Sequence, residues 1–535
     1  MNPAEDPVAT VAPVVVCGGG PVGLALALEL GYHGIRCVVI EPRMEPTSSR
    51  PRAKTLNVRT LEHLRRWGLA DRLRERAPLP TGWSQDIAFA TTLLGEEIAR
   101  FTGVLGLSPQ GLSPELGQQL PQYVLEAFLR EQVAALPTGE LRLGQRVTSV
   151  HQDADSVTVT VSDGDGSEQQ ISCRYLVGAD GGRSRVRDAI GARYVGTQAL
   201  RPNTGVVFRC PELMERLPHP PAVQTWLLNR EVPGLMGPVD LHGTWWLIAF
   251  GVDGTVPTLD PEALVRGALG AVGEVEAVEE LGADLPVDVV STDPWTARME
   301  LVDRARVGRV FLIGDAAHLN PPFGGHGLNT GIGDAVDLGW KLAATLHGWA
   351  GPELLDSHEA ERRPLQQRVI DEATANNAVL SNDLASSDRQ LAAWHIATRK
   401  SAEYYSVGLV LGHRYTASPI IAGCAEPSRQ DHWAAPATPG RRVPHLWTAP
   451  GVSTLDLAGT GYTALAAPAT DLRPLLEAAA GAGLPLAATR VTSDVMAALG
   501  ADVVVLRPDH VVAWAGAAAL ADPAALVRIV TGNGS

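Results

Sequence analysis

The run Val14–Glu41, VVVCGGGPVGLALALELGYHGIRCVVIE, restricts this chain more than any other stretch. Apolar residues lead into Cys17 and read as a buried strand. Gly18, Gly20 and Gly23 then fall at G-x-G-x-x-G spacing, with Pro21 and Val22 inside the turn. Leu24, Leu26, Leu28 and Leu30 mark an apolar helix, Val38–Ile40 a second strand, and Glu41 stands at its end, 18 positions past Gly23. This is a βαβ unit with a dinucleotide fingerprint. The first glycine permits the tight turn, the second lets backbone approach a pyrophosphate, and the third lets the helix pack close to the strand. Phosphates would meet free N–H groups and the positive end of the helix dipole. Glu41 is placed to accept hydrogen bonds from a ribose. A glycine-rich turn alone could be purely structural, but strand, helix and acid in this order favour cofactor binding. The uncharged stretch Val8–Leu28 is not read as a membrane span or signal segment: Glu5 and Asp6 precede it without Lys or Arg, and three glycines and Pro21 interrupt it.

At about 150 residues per domain, 535 residues predict three or four domains. A composition of 45% hydrophobic and 19% charged residues is that of an ordinary globular chain. The net charge of −15 argues against a nucleic-acid surface, which needs clustered Lys and Arg. Cys17, Cys37, Cys173, Cys210 and Cys424 are scattered without a C-x-x-C pair. That fits a reducing cytoplasm and speaks against a disulfide framework or a zinc site.

After Glu41, a basic loop runs from Arg43 to Lys54. Arg43, Arg50, Arg52 and Lys54 could neutralise phosphates or simply be solvated. Leu56, Leu61 and Leu64 predict a helix that stops near Gly68, and Trp83–Ile98 predicts strands. Gln119–Leu136 reads as a helix with Pro121 in its first turn, and two paired strands follow. A second strand–turn–helix lies at Tyr175–Gly191, YLVGADGGRSRVRDAIG, where Asp180, Gly181 and Gly182 follow the strand. A third lies at Gly308–Lys341: a strand ends at Gly314-Asp315, a Gly/Pro-rich loop follows, and a helix begins near Asn329. Backbone N–H groups in such a turn suit a ring carbonyl or another partial negative charge.

These three motifs, in this order, resemble the flavin-binding set of the group A flavoprotein monooxygenases, the FAD-dependent aromatic hydroxylases of the para-hydroxybenzoate hydroxylase-like type. The likeness spans essentially the whole chain and is greatest to the longer phenol and polyketide hydroxylases. It implies an α/β fold: a Rossmann-like FAD-binding domain of the GR2 type, an inserted, mostly antiparallel β-sheet substrate domain, and a C-terminal thioredoxin-like α/β domain. The expected division is 1–82, 120–194 and 294–385 for FAD, 83–119 and 195–293 for substrate, 386–433 as a helical connection, and 434–535 as the last domain.

The resemblance also implies roles. Gly18, Gly20, Pro21, Val22 and Gly23 would hold the FAD pyrophosphate and Glu41 the adenosine ribose. Arg43, Arg52 and Gln122 resemble the family's polar FAD contacts. Asp180 and Gly181 match the DG motif, linked to both FAD and the reduced nicotinamide, and Asp315 matches the GD acid that binds the ribityl chain. Pro322, Gly324, Gly325 and Gly327 would line the flavin ring and the oxygen site, with Leu328 and Asn329 bonding the ring's pyrimidine edge through their backbone. His318 and the Arg362-Arg363-Pro364 run are read as structural.

The implied chemistry uses non-covalent FAD, NADPH or NADH as transient co-substrate, and O2, with oxygen transfer from a flavin C4a-hydroperoxide in a dry site. No second Rossmann fingerprint is present, in keeping with a transient nicotinamide. Trp83, Trp226, Met236, Trp245 and Phe250, together with Trp246, are candidates for an apolar wall over the flavin; ordinary sheet core is the plainer reading of each. Tyr194 is the one tyrosine between residues 176 and 403, so the chain departs from the branch that ionises its phenol with tyrosines. No base is named. A phenolic or polycyclic aromatic substrate of the polyketide type is expected, hydroxylation being preferred to Baeyer–Villiger or ring-rearranging oxidation. A flavin halogenase lacks support because Trp245-Trp246 does not form W-x-W-x-I-P. A reductase would not need the G-D loop with this Pro/Gly sequence, and a scaffold that binds FAD without catalysis would not need all three motifs intact. The last domain has no cysteine and so no dithiol chemistry, which leaves packing or a homodimer contact. No metal, nucleic-acid or membrane partner is expected.

Overall fold

A computed structural model describes residues 10–48, 55–107, 111–197, 201–229, 231–270, 282–321, 323–382, 389–423, 436–517 and 521–534. Arg52 and Pro322, both expected at the cofactor, lie outside these residues.

The central sheet runs in the order Arg306–Val307, Val310–Leu312, Glu168–Gly178, Thr10–Cys17, Cys37–Glu41, Gly139–Leu143. Its four inner pairings from Val310–Leu312 to Gly139–Leu143 are parallel. Such strands are buried on both faces and therefore need apolar residues at every position. Here Val14, Val16, Cys37 and Val39 face one core, with the helices Pro21–Tyr32 and His326–His347. Val15, Cys17, Val38 and Ile40 face the other. The period of two decides which side each valine serves.

A second, seven-stranded sheet runs Asp288–Thr296, Pro202–Arg209, Thr244–Phe250, Gly234–Pro238, Gln224–Leu227, Ile87–Ala90, Glu97–Phe101. All its pairings are antiparallel except Ile87–Ala90 against Gln224–Leu227. One face packs on the helix Pro261–Leu269. The other packs on Ile396 and Tyr404 of the helix Arg389–Tyr404. That helix belongs to the stretch read from sequence as a connection, and its buried side serves as a cover for the sheet.

The C-terminal sheet, Leu486–Arg490, Tyr462–Ala466, Val503–Leu506, Val512–Gly516, has one parallel and two antiparallel pairings. With its flanking helices this is the thioredoxin-like arrangement. One face takes in Trp340 from the helix His326–His347: Trp340 is fully buried, stacked on Trp349 and edge-on to Tyr462. Beside it the buried Arg507 bonds Asp337 (3.0 Å) and Glu361 (2.7 Å). The predicted helix at 119–136 begins only at Gln122, because Pro121 is extended (ψ 144°) and caps it while Gln119 pairs with Thr55. The helix expected near Asn329 begins a turn earlier, at His326.

Candidate flavin site and substrate wall

Three strand ends converge. Cys17 lies in register with Gly178 and with Ile40, and Gly178 with Leu312. Residues just past these positions, Gly18, Glu41, Asp180 and Asp315, therefore gather along one edge, at the carboxyl ends of parallel strands, where open α/β sheets bind ligands.

The fingerprint glycines divide into two roles. Gly18 has φ +109°, and a Cβ there would fall 2.3 Å from the Ala179 carbonyl oxygen. A Cβ on Gly23 would fall 2.0 Å from the Gly18 oxygen. Both are required by the protein's own backbone. Gly20 differs: a Cβ there meets nothing within 4 Å. Gly20 is also the N-cap of Pro21–Tyr32 and offers no side-chain cap, so the amides of the first turn are left for a ligand. An open side beside uncapped amides at a helix N-terminus suits an anionic group such as a pyrophosphate.

Glu41 is buried. Gly19 N–H donates to its Oε2 (2.8 Å), and Arg43 donates to Oε1 from its amide (2.9 Å) and Nε (2.7 Å). Arg43 also pairs with Glu126 at 2.8 Å. The carboxylate is thereby held in one orientation by the chain's own donors. Asp180 accepts from Ser184 Oγ (2.5 Å) and Arg185 N–H (2.7 Å), and burial pushes its pKa up. Gly181 beside it has φ +79° with open space around it. Asp315 is exposed at the edge, and its carbonyl accepts from the Tyr194 hydroxyl. Gln122 opens its helix, half-buried.

The glycine loop leads into the helix His326–His347. Gly324 (φ +76°) and Gly325 (φ +67°) are left-handed, and a Cβ on Gly325 would touch Thr55 at 3.2 Å. A Cβ on Gly327 would lie 3.2 Å from Asn320, and Leu328 packs on the first core. Asn329 does more than the sequence reading assigned. Its side chain donates to Thr55 O (2.8 Å) and Gly325 O (2.7 Å) and accepts from Asn57 N–H and Thr60 Oγ1. It ties the loop to the chain at residues 55–60.

His318 is buried with Nε2 at 2.9 Å from Asp334, as a structural role requires. Asp334 was not singled out from sequence. It also accepts from Gly314 N–H (3.2 Å) and Arg362 Nε (2.8 Å), and Arg362 reaches Thr330 O (2.9 Å). Burial opposes its charge, but Arg362 and His318 hold its pKa well below the usual carboxylate range. It locks the Gly314-Asp315 turn to the loop helix.

Of the expected wall, Trp226 and Phe250 share one face, 5.7 Å apart, with Phe89 stacked on Trp226 and with Trp246 and Trp83 alongside. Met236 and Trp245 do not join them. Alternation along their strands turns both to the opposite face, against the helix Pro261–Leu269. On the Trp226 face lies a buried ion pair that sequence reasoning missed. Lys400 bonds Glu403 at 2.6 Å and sits 5.3 Å from the Trp226 ring. Glu403 faces the Gly324 amide, and burial raises its pKa. The face that carries Trp226 and Phe250 is thus linked to the glycine loop through the helix Arg389–Tyr404. A separate cavity of about 100 Å³ lies behind the loop helix, lined by His63, His326, Arg362 and His413, away from the fingerprint.

A sheet edge that gathers a Gly-rich turn, the buried Glu41 and a glycine loop is the kind of place where an FAD-binding oxidoreductase holds its cofactor. Comparison with known proteins agrees: the FAD binding domain family matches residues 11–373, and the aromatic-ring hydroxylase C-terminal family matches 436–532. The chain is 34% identical over 556 aligned positions to a tetracenomycin B2 monooxygenase-dioxygenase of Streptomyces olivaceus, covering 96% of this chain and 97% of the relative. It is 33% identical to aklavinone 12-hydroxylase RdmE of Streptomyces purpurascens, covering 96% of each. Among solved structures, RebC with bound 7-carboxy-K252c superposes with a TM-score of 0.88 at 33% identity, covering 98% of this chain and all of that one. A ternary complex of aklavinone-11 hydroxylase with FAD and aklavinone gives 0.82 at 31% identity, covering 99% and all of that chain. The chain belongs to the FAD-dependent aromatic-ring hydroxylase family. It is a flavoprotein monooxygenase.

Proposed function

We propose that this enzyme hydroxylates a polycyclic phenolic substrate of the polyketide type, taking electrons from NADPH or NADH and one oxygen atom from O2. The observation that carries the reading is the aromatic face of Trp226 and Phe250, covered by the helix Arg389–Tyr404, whose Glu403 faces the Gly324 amide of the glycine loop. An aromatic face joined to the glycine loop through one helix suits an aromatic substrate, and relatives are named tetracenomycin B2 monooxygenase-dioxygenase, putative polyketide hydroxylase and aklavinone 12-hydroxylase. FAD, when bound, supplies the reduction and activation of oxygen. The chain's own residues do the rest. Gly20 and the first-turn amides seat the pyrophosphate, Glu41 takes the ribose, Asp315 the ribityl chain, and the backbone of Leu328 and Asn329 the ring edge. The buried aromatic face excludes water around the reacting carbon.

The same reading assigns 1–82, 120–194 and 294–385 to the cofactor and 83–119 and 195–293 to the substrate. It also expects the enzyme in the cytoplasm, in keeping with the scattered cysteines, of which the four described are free and buried. Among the described residues, no helix is long and apolar enough to cross a membrane. The test is NADPH oxidation by the FAD-loaded protein with a panel of polycyclic phenols, following O2 uptake and product mass. Substrate-stimulated oxidation with gain of one oxygen atom, retained as a hydroxyl on fragmentation, supports the proposal. An inserted ester oxygen, or oxidation without oxygen transfer across the panel, refutes it.

A further inference from the structure

The wall sheet carries a polar corner that the cofactor site does not use. Arg201 and Asn203 stand two residues apart at the start of the strand Pro202–Arg209, so both project to one face. That face is the one bearing Phe250 and Trp226. Asn203 is the cross-strand partner of Phe250, and the Arg201 guanidinium lies over the Phe250 ring, 4.6 Å from its centroid. Phe250 touches Trp226, Trp226 meets Lys400, and Lys400 holds Glu403 beside the Gly324 amide. Contacts therefore run without a break from this corner to the glycine loop.

Both residues have unfinished bonding. Arg201 is half-buried, and its Nη2 is buried without a hydrogen-bond partner. No carboxylate among the described residues forms an ion pair with it. Its desolvation disfavours the charge, so a cation here is unusual unless something of opposite sign meets it. Asn203 is 2% exposed. Its Nδ2 donates to the Arg201 carbonyl at 3.2 Å, which settles which end of the amide is oxygen. Its Oδ1 is buried without a partner. Buried polar atoms are nearly always bonded in folded proteins, so a donor and an acceptor left open on one patch of an otherwise aromatic wall point to a ligand.

We propose that Arg201 and Asn203 form an anion-binding subsite of the substrate wall. Arg201 takes a carboxylate or phenolate oxygen, and Asn203 Oδ1 accepts from an adjacent hydroxyl. An arginine suits this place because its planar head is weakly hydrated and stacks on Phe250 while its edge remains free to donate. The substrate class narrows accordingly, from any polycyclic phenol to an aromatic acid or acidic phenol with a neighbouring hydroxyl. The identity of the ligand rests on the aromatic-substrate reading above; the existence of an anion subsite does not. A phosphate of the reduced nicotinamide offers the same anionic oxygen, and the test separates the two.

The test is equilibrium binding to the FAD-loaded protein, followed by flavin absorbance and tryptophan emission, with 1-hydroxy-2-naphthoate, 2-naphthoate, 1-naphthol and NADPH as probes. The natural protein binds the hydroxynaphthoate about tenfold or more tightly than the naphthol. Arg201→Met keeps the aliphatic stem over Phe250; it weakens the hydroxynaphthoate by about tenfold or more and the naphthol by less than about twofold. Arg201→Lys keeps part of the acid's advantage. Asn203→Leu removes the preference for hydroxynaphthoate over naphthoate, and with Arg201→Lys it carries the test where Arg201→Met does not fold. Equal affinity of the natural protein for acid and naphthol overturns the proposal. So does equal loss of both in Arg201→Met, or a loss confined to NADPH. A protein that binds the acid through Arg201 yet oxidises no polycyclic phenol keeps this subsite and refutes the proposed function instead.

Discussion

Replacing Gly20 with alanine separates what the fingerprint does for the fold from what it does for the cofactor. A Cβ at Gly20 meets no protein atom within 4 Å, and its φ of −77° is open to any residue. The expected cost to the apoprotein is that of a poorer helix N-cap, at most about 1 kcal/mol, or roughly 1 °C in Tm for a chain of 535 residues. The cost to FAD is larger. With the pyrophosphate on the open side of Gly20, as proposed, a methyl group there pushes it off the first-turn amides. Losing two hydrogen bonds to a charged group, each about 1.5–3 kcal/mol, lowers affinity by roughly a hundredfold or more. Gly18→Ala is the converse control. Its Cβ would overlap the Ala179 carbonyl at 2.3 Å and its φ is left-handed, so the apoprotein itself should melt early. The assay is FAD titration of apoprotein by flavin fluorescence quenching, beside thermal melts without FAD. If Gly20→Ala binds FAD within about threefold of the natural protein, the open side of Gly20 is not where the pyrophosphate lies, and the assignment of the cradle falls.

Three other perturbations follow from the buried charges and the wall. Lys400→Met leaves Glu403 buried without its cation and should destabilise the protein by about 3–5 kcal/mol, with the Lys400→Met/Glu403→Gln double variant recovering much of that in urea unfolding; additive losses would show that the two do not act as a pair. His326 is buried and its pKa is pulled down to about 4 by desolvation. The unfolded chain binds that proton from pH 6.5 downward and the folded one does not, so stability should fall as pH drops from about 6.5 to 4 by up to roughly 3 kcal/mol. His326→Leu should show a shallower dependence in unfolding at pH 7.5 and 5, and an unchanged slope would count against the burial argument. Phe250→Ala should weaken binding of polycyclic phenols, whereas Trp245→Ala, on the outer face, should lower stability by about 3–5 kcal/mol and leave phenol affinity in the surviving folded protein near its natural value; equal effects on phenol binding would contradict the division of the sheet into two faces.

Much of the sheet edge proposed to hold the cofactor was legible because its backbone demands are local. The turn at Gly18 needs left-handed backbone, Gly23 needs close helix–strand approach, and each requirement writes itself into a short run of residues. His318 was also readable as structural, since a buried imidazole beside a Gly-Asp turn is most simply a brace. The partners of these residues were harder to see. Asp334 lies 16 positions beyond His318 and bonds Gly314 through space. Asn329 acts through its side chain on residues more than 260 positions away. Lys400 and Glu403 sit in what composition presents as an ordinary charged helix, and only their burial against Trp226 gives them meaning.

The wall shows the same limit. Trp226, Met236, Trp245 and Phe250 all read as apolar strand residues, and a side chain one place along a strand points to the opposite face. Period-two alternation tells that two sets exist but not which set meets the cofactor. That choice was made by the helix Arg389–Tyr404 and the glycine loop, which pack on the Trp226 side. By itself, the chain of residues determined a Rossmann-like unit, its glycine turns and the acids at its strand ends, because these follow from backbone geometry within a few residues. The tertiary structure alone decided which aromatic face the helix Arg389–Tyr404 ties to the loop, which buried ions brace it, and where Arg201 stands over Phe250, because those depend on which surfaces are brought together from distant parts of the chain.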